Sequence, residues 1–407
     1  MVTSGVSRRS VLLAAAATAA ATGAPIGSAR ASEASAGETS AGVTPLWRTA
    51  ARRGLLYGSS VATWQLDPDY ARLFRQQAAL LWPEDDLLWY RLKPTPDAPL
   101  DFTYADQIVE FAERNHQVFF GGPGLVWDEG FGDGWQDSDL WDISEKRARS
   151  LLYGTMRAVL RRYRGRAAAW VVVNEAIVNG KDDSYHDLRK DVPWFATIGP
   201  EYVAHAFHVA HETDPDAMLV MNDFGYETRN QYGDYAIDKQ RATLRVLDRL
   251  LAAGVPVHAF GVQAHLLADH FAERFHARQY QRFLSELSDR GLTIVITELD
   301  VLDDGLPAAR RPRDRMVADV YRRYLDVALE ERGVAAVINF GLSDRYTWLQ
   351  EDYPRDDGAA RRPLPFDENL SPKPAFHAVH DELRQAPRRR PVFDLLRHLD
   401  QKDASSR

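Results

Sequence analysis

Glu175 and Glu298 are the acids whose surroundings suggest chemistry. Glu175 closes the run Trp170-Val171-Val172-Val173-Asn174-Glu175, and Glu298 stands near the end of Thr293-Ile294-Val295-Ile296-Thr297-Glu298-Leu299-Asp300. Apolar runs rich in β-branched residues read as strands buried on both faces, which belong mainly to parallel sheets covered by helices. An acid at the carboxyl end of such a strand faces the crevice in which α/β folds place their ligands. Two carboxylates sharing one crevice could cleave a glycosidic bond, hold a metal ion or abstract a proton, and the pairing alone leaves all three open.

The elements needed to bring the two acids together are legible. Eight apolar runs, at 55–62, 87–92, 117–121, 168–174, 218–224, 258–264, 293–299 and 334–341, read as strands. Segments with helical spacing stand between and after them, at 68–81, 105–113, 145–162, 202–211, 235–252, 277–290 and 313–332. Eight strand-helix repeats predict a closed (β/α)8 barrel, a TIM barrel, as a single domain over residues 46–385. An open doubly wound sheet is the competing α/β arrangement, but Gly54 and Gly58 near the first run do not make its glycine fingerprint. A closing helix is expected at 375–383. The remaining tail, 386–407, contains Arg388-Arg389-Arg390 and reads as a solvated piece packed weakly on the barrel.

Composition narrows the partners. A chain of 407 residues, 45% apolar and 11% aromatic, can bury a large core. The net charge of -8 is mixed along the sequence and argues against a nucleic-acid surface. Having no cysteine excludes disulfides, thiolate metal sites and cysteine nucleophiles. Ser7-Arg8-Arg9-Ser10 precedes an alanine-rich apolar segment, and Ala29-Arg30-Ala31 offers a small-x-small cleavage site. Residues 1–31 therefore read as a twin-arginine export signal and 32–45 as a flexible linker, which predicts a secreted protein free of the membrane once the leader is removed. His205, His208 and His211 recur along one predicted helix, but that helix belongs to the outer ring, so no metal site is expected there.

The strand carrying Glu175, Trp170 through Ala176, resembles the W-D-V-V-N-E-A signature of glycoside hydrolase family 10, whose best-known members are endo-1,4-β-xylanases. Ile296 through Val301 is similar to that family's I-T-E-L-D-I. The likeness continues in family order through Leu125-Val126-Trp127, Met221-Asn222-Asp223-Phe224, Gly261-Val262-Gln263-Ala264-His265-Leu266 and Gly341-Leu342-Ser343-Asp344-Arg345-Tyr346-Thr347-Trp348, and ends at Ser371-Pro372-Lys373-Pro374-Ala375. The resemblance implies a cofactor-free retaining glycosidase acting on a polysaccharide or oligosaccharide, expected to work as a monomer. It implies Glu175 as general acid/base and Glu298 as nucleophile, with their carboxyl groups about 5 to 5.5 Å apart. It further implies Asn174 on the sugar 2-hydroxyl, His265 hydrogen-bonded to Glu298 with Gln263 beside it, and Trp127, Trp348 and Trp89 at the sugar.

The departures bear on substrate. The family's E-N-x-M-K-W is here Glu84-Asp85-Asp86-Leu87-Leu88-Trp89, so Asp85 replaces an amide and Leu88 a sugar-binding lysine. Its G-H-T-L-V-W-H is Gly122-Pro123-Gly124-Leu125-Val126-Trp127-Asp128, so both histidines are gone. Leaving a buried hydroxyl unpaired costs about 1 to 3 kcal/mol, so a sugar other than the xylose of xylan, a small glycoside or a transfer reaction becomes an alternative. A catalytically weak carbohydrate-binding barrel is a further one. Residues 128–135 read as a variable wall of the cleft, and the pairs Arg310-Arg311 and Arg361-Arg362 as solvated loop charges.

Overall fold

The computed structural model describes residues 44–180, 186–228 and 236–393. The leader expected over 1–31, almost all of the linker and the last part of the tail lie outside the described residues. Eight strands form the barrel: β1 (Leu56–Val61), β2 (Leu80–Pro83), β3 (Val118–Gly121), β4 (Ala169–Asn174), β5 (Met218–Asp223), β6 (Ala259–Val262), β7 (Thr293–Leu302) and β8 (Val334–Asn339). Each pairs in parallel with its sequence neighbours, and β8 returns to β1 through the register Leu56↔Ala336 to Ser59↔Asn339, which closes the sheet. Eight main helices follow the strands: α1 (Pro68–Gln77), α2 (Thr103–Arg114), α3 (Glu145–Arg162), α4 (Tyr202–Thr213), α5 (Ala236–Ala252), α6 (Ala277–Asp289), α7 (Arg310–Glu330) and α8 (Pro374–Gln385). The (β/α)8 expectation is met.

Local chemistry sets several boundaries. Asp67 caps α1 by accepting from the backbone N–H of Asp69 (2.9 Å) and Tyr70 (3.1 Å), with Pro68 at the first helical position. Ser144 caps α3 in the same way through Arg147 N–H. β4 is buried at all six positions, as its apolar run requires, and the Trp170 indole donates to Asp214 just past α4 (2.9 Å), tying strand to helix layer. Among the described residues no helix is long and apolar enough to cross a membrane.

Three expectations change. The second strand is not at 87–92: α1 ends at Gln77 rather than continuing to 81, β2 follows at once, and Trp89–Leu92 is a single helical turn. The apolar residues 78–82 continue the helical pattern in sequence, but Ala79 N–H bonds Tyr57 O (3.0 Å) and the chain joins the parallel ladder. That close approach requires Gly58, where an added Cβ would fall 2.6 Å from the Leu80 Cβ. The tail is also better anchored than expected. Arg389 N–H bonds Arg53 O (2.9 Å), and its guanidinium donates to the carbonyls of Leu329 (2.6 Å), Glu331 (2.8 Å) and Val334 (2.7 Å), while Phe393 packs near Phe120. Finally, Arg361 and Arg362 are buried, not solvated. Arg361 pairs with Asp303 (2.9 Å) and Arg362 forks onto Asp314 (2.7 and 3.0 Å), because the loop after β8 folds over the end of β7 and the start of α7.

Candidate active site

Glu175 and Glu298 both line a cleft of about 430 Å³ at the carboxyl ends of the strands. Glu175 is the first residue past β4 and has a left-handed backbone (φ +55°), which an L side chain adopts only when held. It is held from both sides: its N–H donates to Asn222 O (2.9 Å), and its carbonyl accepts from Arg189 Nη1 (3.2 Å). Glu298 lies within β7, where the register against β8 shifts between Ile296 and Leu299; its N–H donates to Gln263 O (2.9 Å).

The side chains form one connected network. Gln263 Nε2 donates to Glu175 Oε1 (3.0 Å) and Asn174 Oδ1 (3.3 Å). Asn222 Nδ2 donates both to Asn174 Oδ1 (2.8 Å) and to Glu298 Oε1 (2.8 Å), and Asn222 Oδ1 accepts from the Thr297 hydroxyl (2.7 Å). The other Glu298 oxygen meets His265 Nε2 at 3.2 Å, while His265 Nδ1 bonds Asp300 Oδ1 (2.9 Å). Burial opposes charging the imidazole, but Asp300, through its charge and its hydrogen bond, and then Glu298 outweigh it and raise His265 to about 10. His265 is therefore an imidazolium at neutral pH and donates from both nitrogens. Trp348 Nε1 fixes the second Asp300 oxygen (2.7 Å), so that indole's place on the cleft wall is set from behind.

The structure brings together seven of the eight sequence-predicted residues. Glu175, Glu298, Asn174, His265, Trp127 and Trp348 line the cleft; Gln263, 1% exposed, sits beneath them and orients Glu175 and Asn174. Trp89 is the exception. It is 3% exposed and packs against Phe131 (5.1 Å), Trp135 (5.7 Å) and Trp194 (6.1 Å), so it supports the wall while its neighbours Leu88 and Tyr90 face the cleft. The shift of β2 explains this, because residues 88–92 form a helical turn whose faces do not alternate as a strand's do.

Three participants were not among the predicted residues: Asn222, Asp300 and Arg189. Asn222 sits opposite Asn174 in the β4–β5 register, and Asp300 follows Glu298 by two, the spacing that keeps side chains on one face of a strand. The spacing of Asp300 was available in the sequence, whereas the partner of Asn222 needs the strand register. Gly261 makes room for Asn222, since a Cβ there would lie 2.2 Å from Asn222 Oδ1. Arg189 carried no local signal.

The departures resolve into two kinds. Leu88 and Pro123 do line the cleft, so polar groups are replaced by apolar ones there. Asp128 instead makes a forked pair with Arg189 (3.2 and 2.7 Å) next to the Glu175 carbonyl; burial pushes its carboxyl up to about 6 against the pull of that guanidinium. Glu84, at the end of β2, is pushed up to about 8 by burial while accepting from the Ser60 hydroxyl (2.8 Å) and Gln65 Nε2 (3.0 Å). Glu129 and Gly130 place the loop after β3 on the cleft wall, and Phe131 and Trp135 of the same loop turn inward onto Trp89. Among the described residues no group of three or more His, Asp or Glu side chains is arranged to hold a metal; His205 contacts Arg149 (2.8 Å).

A closed barrel with an open cleft of about 430 Å³ and two acids joined through amides places the chain in the class of barrel glycoside hydrolases. The sequence profile of Glycosyl hydrolase family 10 matches residues 46–382, and the chain belongs to that family. Endo-1,4-beta-xylanase B of Thermotoga neapolitana is 29% identical over 327 residues, covering 79% of this chain and 86% of that protein. Beta-1,4-xylanase of Dictyoglomus thermophilum is 30% identical over 325 residues, covering 76% and 83%. Xylanase 10B from Thermotoga maritima superposes with a TM-score of 0.71 at 28% identity, covering 84% of this chain and 98% of that one. The Thermotoga petrophila xylanase 10B in complex with xylobiose gives the same TM-score and identity, covering 84% and 97%. The chain is a glycosidase of the endo-1,4-β-xylanase type.

Proposed function

We propose that this protein is a secreted retaining β-glycosidase that cleaves β-1,4-linked xylose chains by double displacement. Glu175 gives its proton to the leaving glycosidic oxygen while a Glu298 oxygen attacks the anomeric carbon, so the C–O bond breaks as a glycosyl ester forms. Water then gives a proton to Glu175 and its oxygen attacks the same carbon, releasing Glu298 and the sugar with its configuration retained. The observation that carries the assignment is the asymmetry between the acids. Glu298 meets the His265 imidazolium at 3.2 Å, which complements a nucleophile that carries negative charge into attack. Glu175 instead accepts from Gln263, a neutral amide (3.0 Å), which suits a group that alternates between acid and base.

The xylobiose complex of the Thermotoga petrophila relative supports xylan or xylo-oligosaccharides as substrate. Leu88 and Pro123 on the cleft wall favour a second reading, a glycosidase or transglycosylase for another sugar or a small glycoside. Initial rates on xylan, xylo-oligosaccharides and a panel of aryl β-glycosides separate the two. Xylose-based substrates turned over most efficiently support the first reading; preference for a different glycone establishes the second. Export rests on the twin arginines and the apolar leader, and is tested by detecting the processed chain outside cells in a twin-arginine-dependent manner.

A further inference from the structure

The cleft carries an exposed aromatic side chain that neither the catalytic pair nor any of the matched motifs uses. Trp64 is 56% exposed, the most exposed large apolar side chain among the described residues, and it lies on the wall of the same cleft as Glu175 and Glu298. Its backbone is one short turn, Thr63–Gln65, directly after β1, and that turn is braced throughout. Ala62 N–H donates to Gln65 Oε1 (2.9 Å), Gln65 Nε2 to Glu84 Oε1 (3.0 Å), and the Thr63 N–H and hydroxyl to Asp86 (2.9 and 2.7 Å). The indole meets the Tyr346 ring edge-on at 5.6 Å. Tyr346 is itself fixed, with its hydroxyl on Asp67 (2.6 Å) and its ring 5.0 Å from Tyr70.

Such an indole is exposed yet held in place, so covering it releases water at little further cost in side-chain ordering. We propose that Trp64, backed by Tyr346, is a binding platform for a sugar ring of the glycan chain beyond the unit being cleaved. The chemistry of the occupant follows from the wall itself. A pyranose offers a C–H face to an indole and a rim of hydroxyls to polar neighbours, and Glu84, Arg345 and Gln350 stand on the same wall. The cleft is continuous from the catalytic acids to Trp64, which makes a further unit of the same chain the occupant. A platform here also gives the enzyme apolar grip on substrate where Leu88 and Pro123 have removed polar grip.

This inference rests on the proposed action on xylose chains, and the experiment separates the two. kcat/KM is measured for xylotetraose and for 4-nitrophenyl β-xyloside with the wild type, Trp64→Ala and Trp64→Phe. The ratio of the two values falls about 10-fold in Trp64→Ala, the equivalent of one lost aromatic stacking contact, and largely recovers in Trp64→Phe. A ratio unchanged by Trp64→Ala overturns the platform. Failure of the wild type to turn over either compound defeats the xylose-chain reading of the proposed function instead. The platform is then decided by calorimetric titration of xylotetraose into the Glu298→Gln protein with and without Trp64→Ala: weaker binding without the indole supports it, and equal or undetectable binding refutes it.

Discussion

Asp300→Asn carries the largest electrostatic consequence expected at the site. The Asp300 carboxylate is fully buried and accepts from His265 (2.9 Å) and Trp348 (2.7 Å). Burial works to discharge the imidazole, and Asp300 is the strongest of the influences that reverse it, taking His265 from 6.5 to about 10. That gap corresponds to about 5 kcal/mol at ~1.36 kcal/mol for each tenfold change in proton affinity. Because the folded value lies above the unfolded one, the stabilisation is complete below the unfolded value of 6.5 and is lost as the pH rises through about 10. The asparagine keeps a hydrogen-bond acceptor but removes the charge, so burial dominates and His265 becomes neutral within the working range. The assay is urea unfolding across that pH window, with kcat/KM followed in parallel. The wild type should lose stability steadily through the window. The variant should be less stable at its acid end, show a flatter slope, and lose activity with rising pH as Glu298 loses its cationic neighbour. Identical pH slopes of unfolding in the two proteins would refute the charged imidazolium and the role given to Asp300.

Other substitutions test separate links. Asn222→Ala removes the one amide that bonds both Asn174 and Glu298, and should lower kcat about 100-fold with a smaller change in KM, measured by steady-state kinetics. Gly261→Ala places a methyl group against Asn222 Oδ1 and should reproduce much of that loss while the protein remains folded by circular dichroism. Arg389→Ala strips donors from three carbonyls far from the cleft; it should destabilise the barrel by about 2 to 4 kcal/mol, read as a lower Tm, without changing kcat.

What was legible in the sequence was the part that local pattern dictates. β4 and β7 are long β-branched runs buried on both faces, so their positions followed from the run pattern, and the placement of Glu175 and Glu298 at one mouth from the eightfold strand-helix alternation. β2 was misplaced because four residues of strand following a helix carry too little pattern, and Gly58 on another strand decides where they pair. Trp89, placed at the sugar by the family resemblance, is instead buried behind the cleft wall against Phe131. Arg189, Arg361, Arg362 and Arg389 were invisible as structural residues for a different reason. Each has at least one partner far along the chain, and no short window of sequence distinguishes a buried, paired guanidinium from a solvated one. The exchange at Asp128 was readable as a departure from the family, but its pairing with Arg189 was not.

The double displacement through a carboxylate nucleophile is tested most directly by the anomeric configuration of the first product. Proton NMR during hydrolysis of a β-xyloside should show the β-anomer of xylose appearing first, with the α-anomer growing in only by mutarotation. An α-anomer formed first would mean a single displacement by water and would contradict the covalent intermediate and the nucleophile role of Glu298.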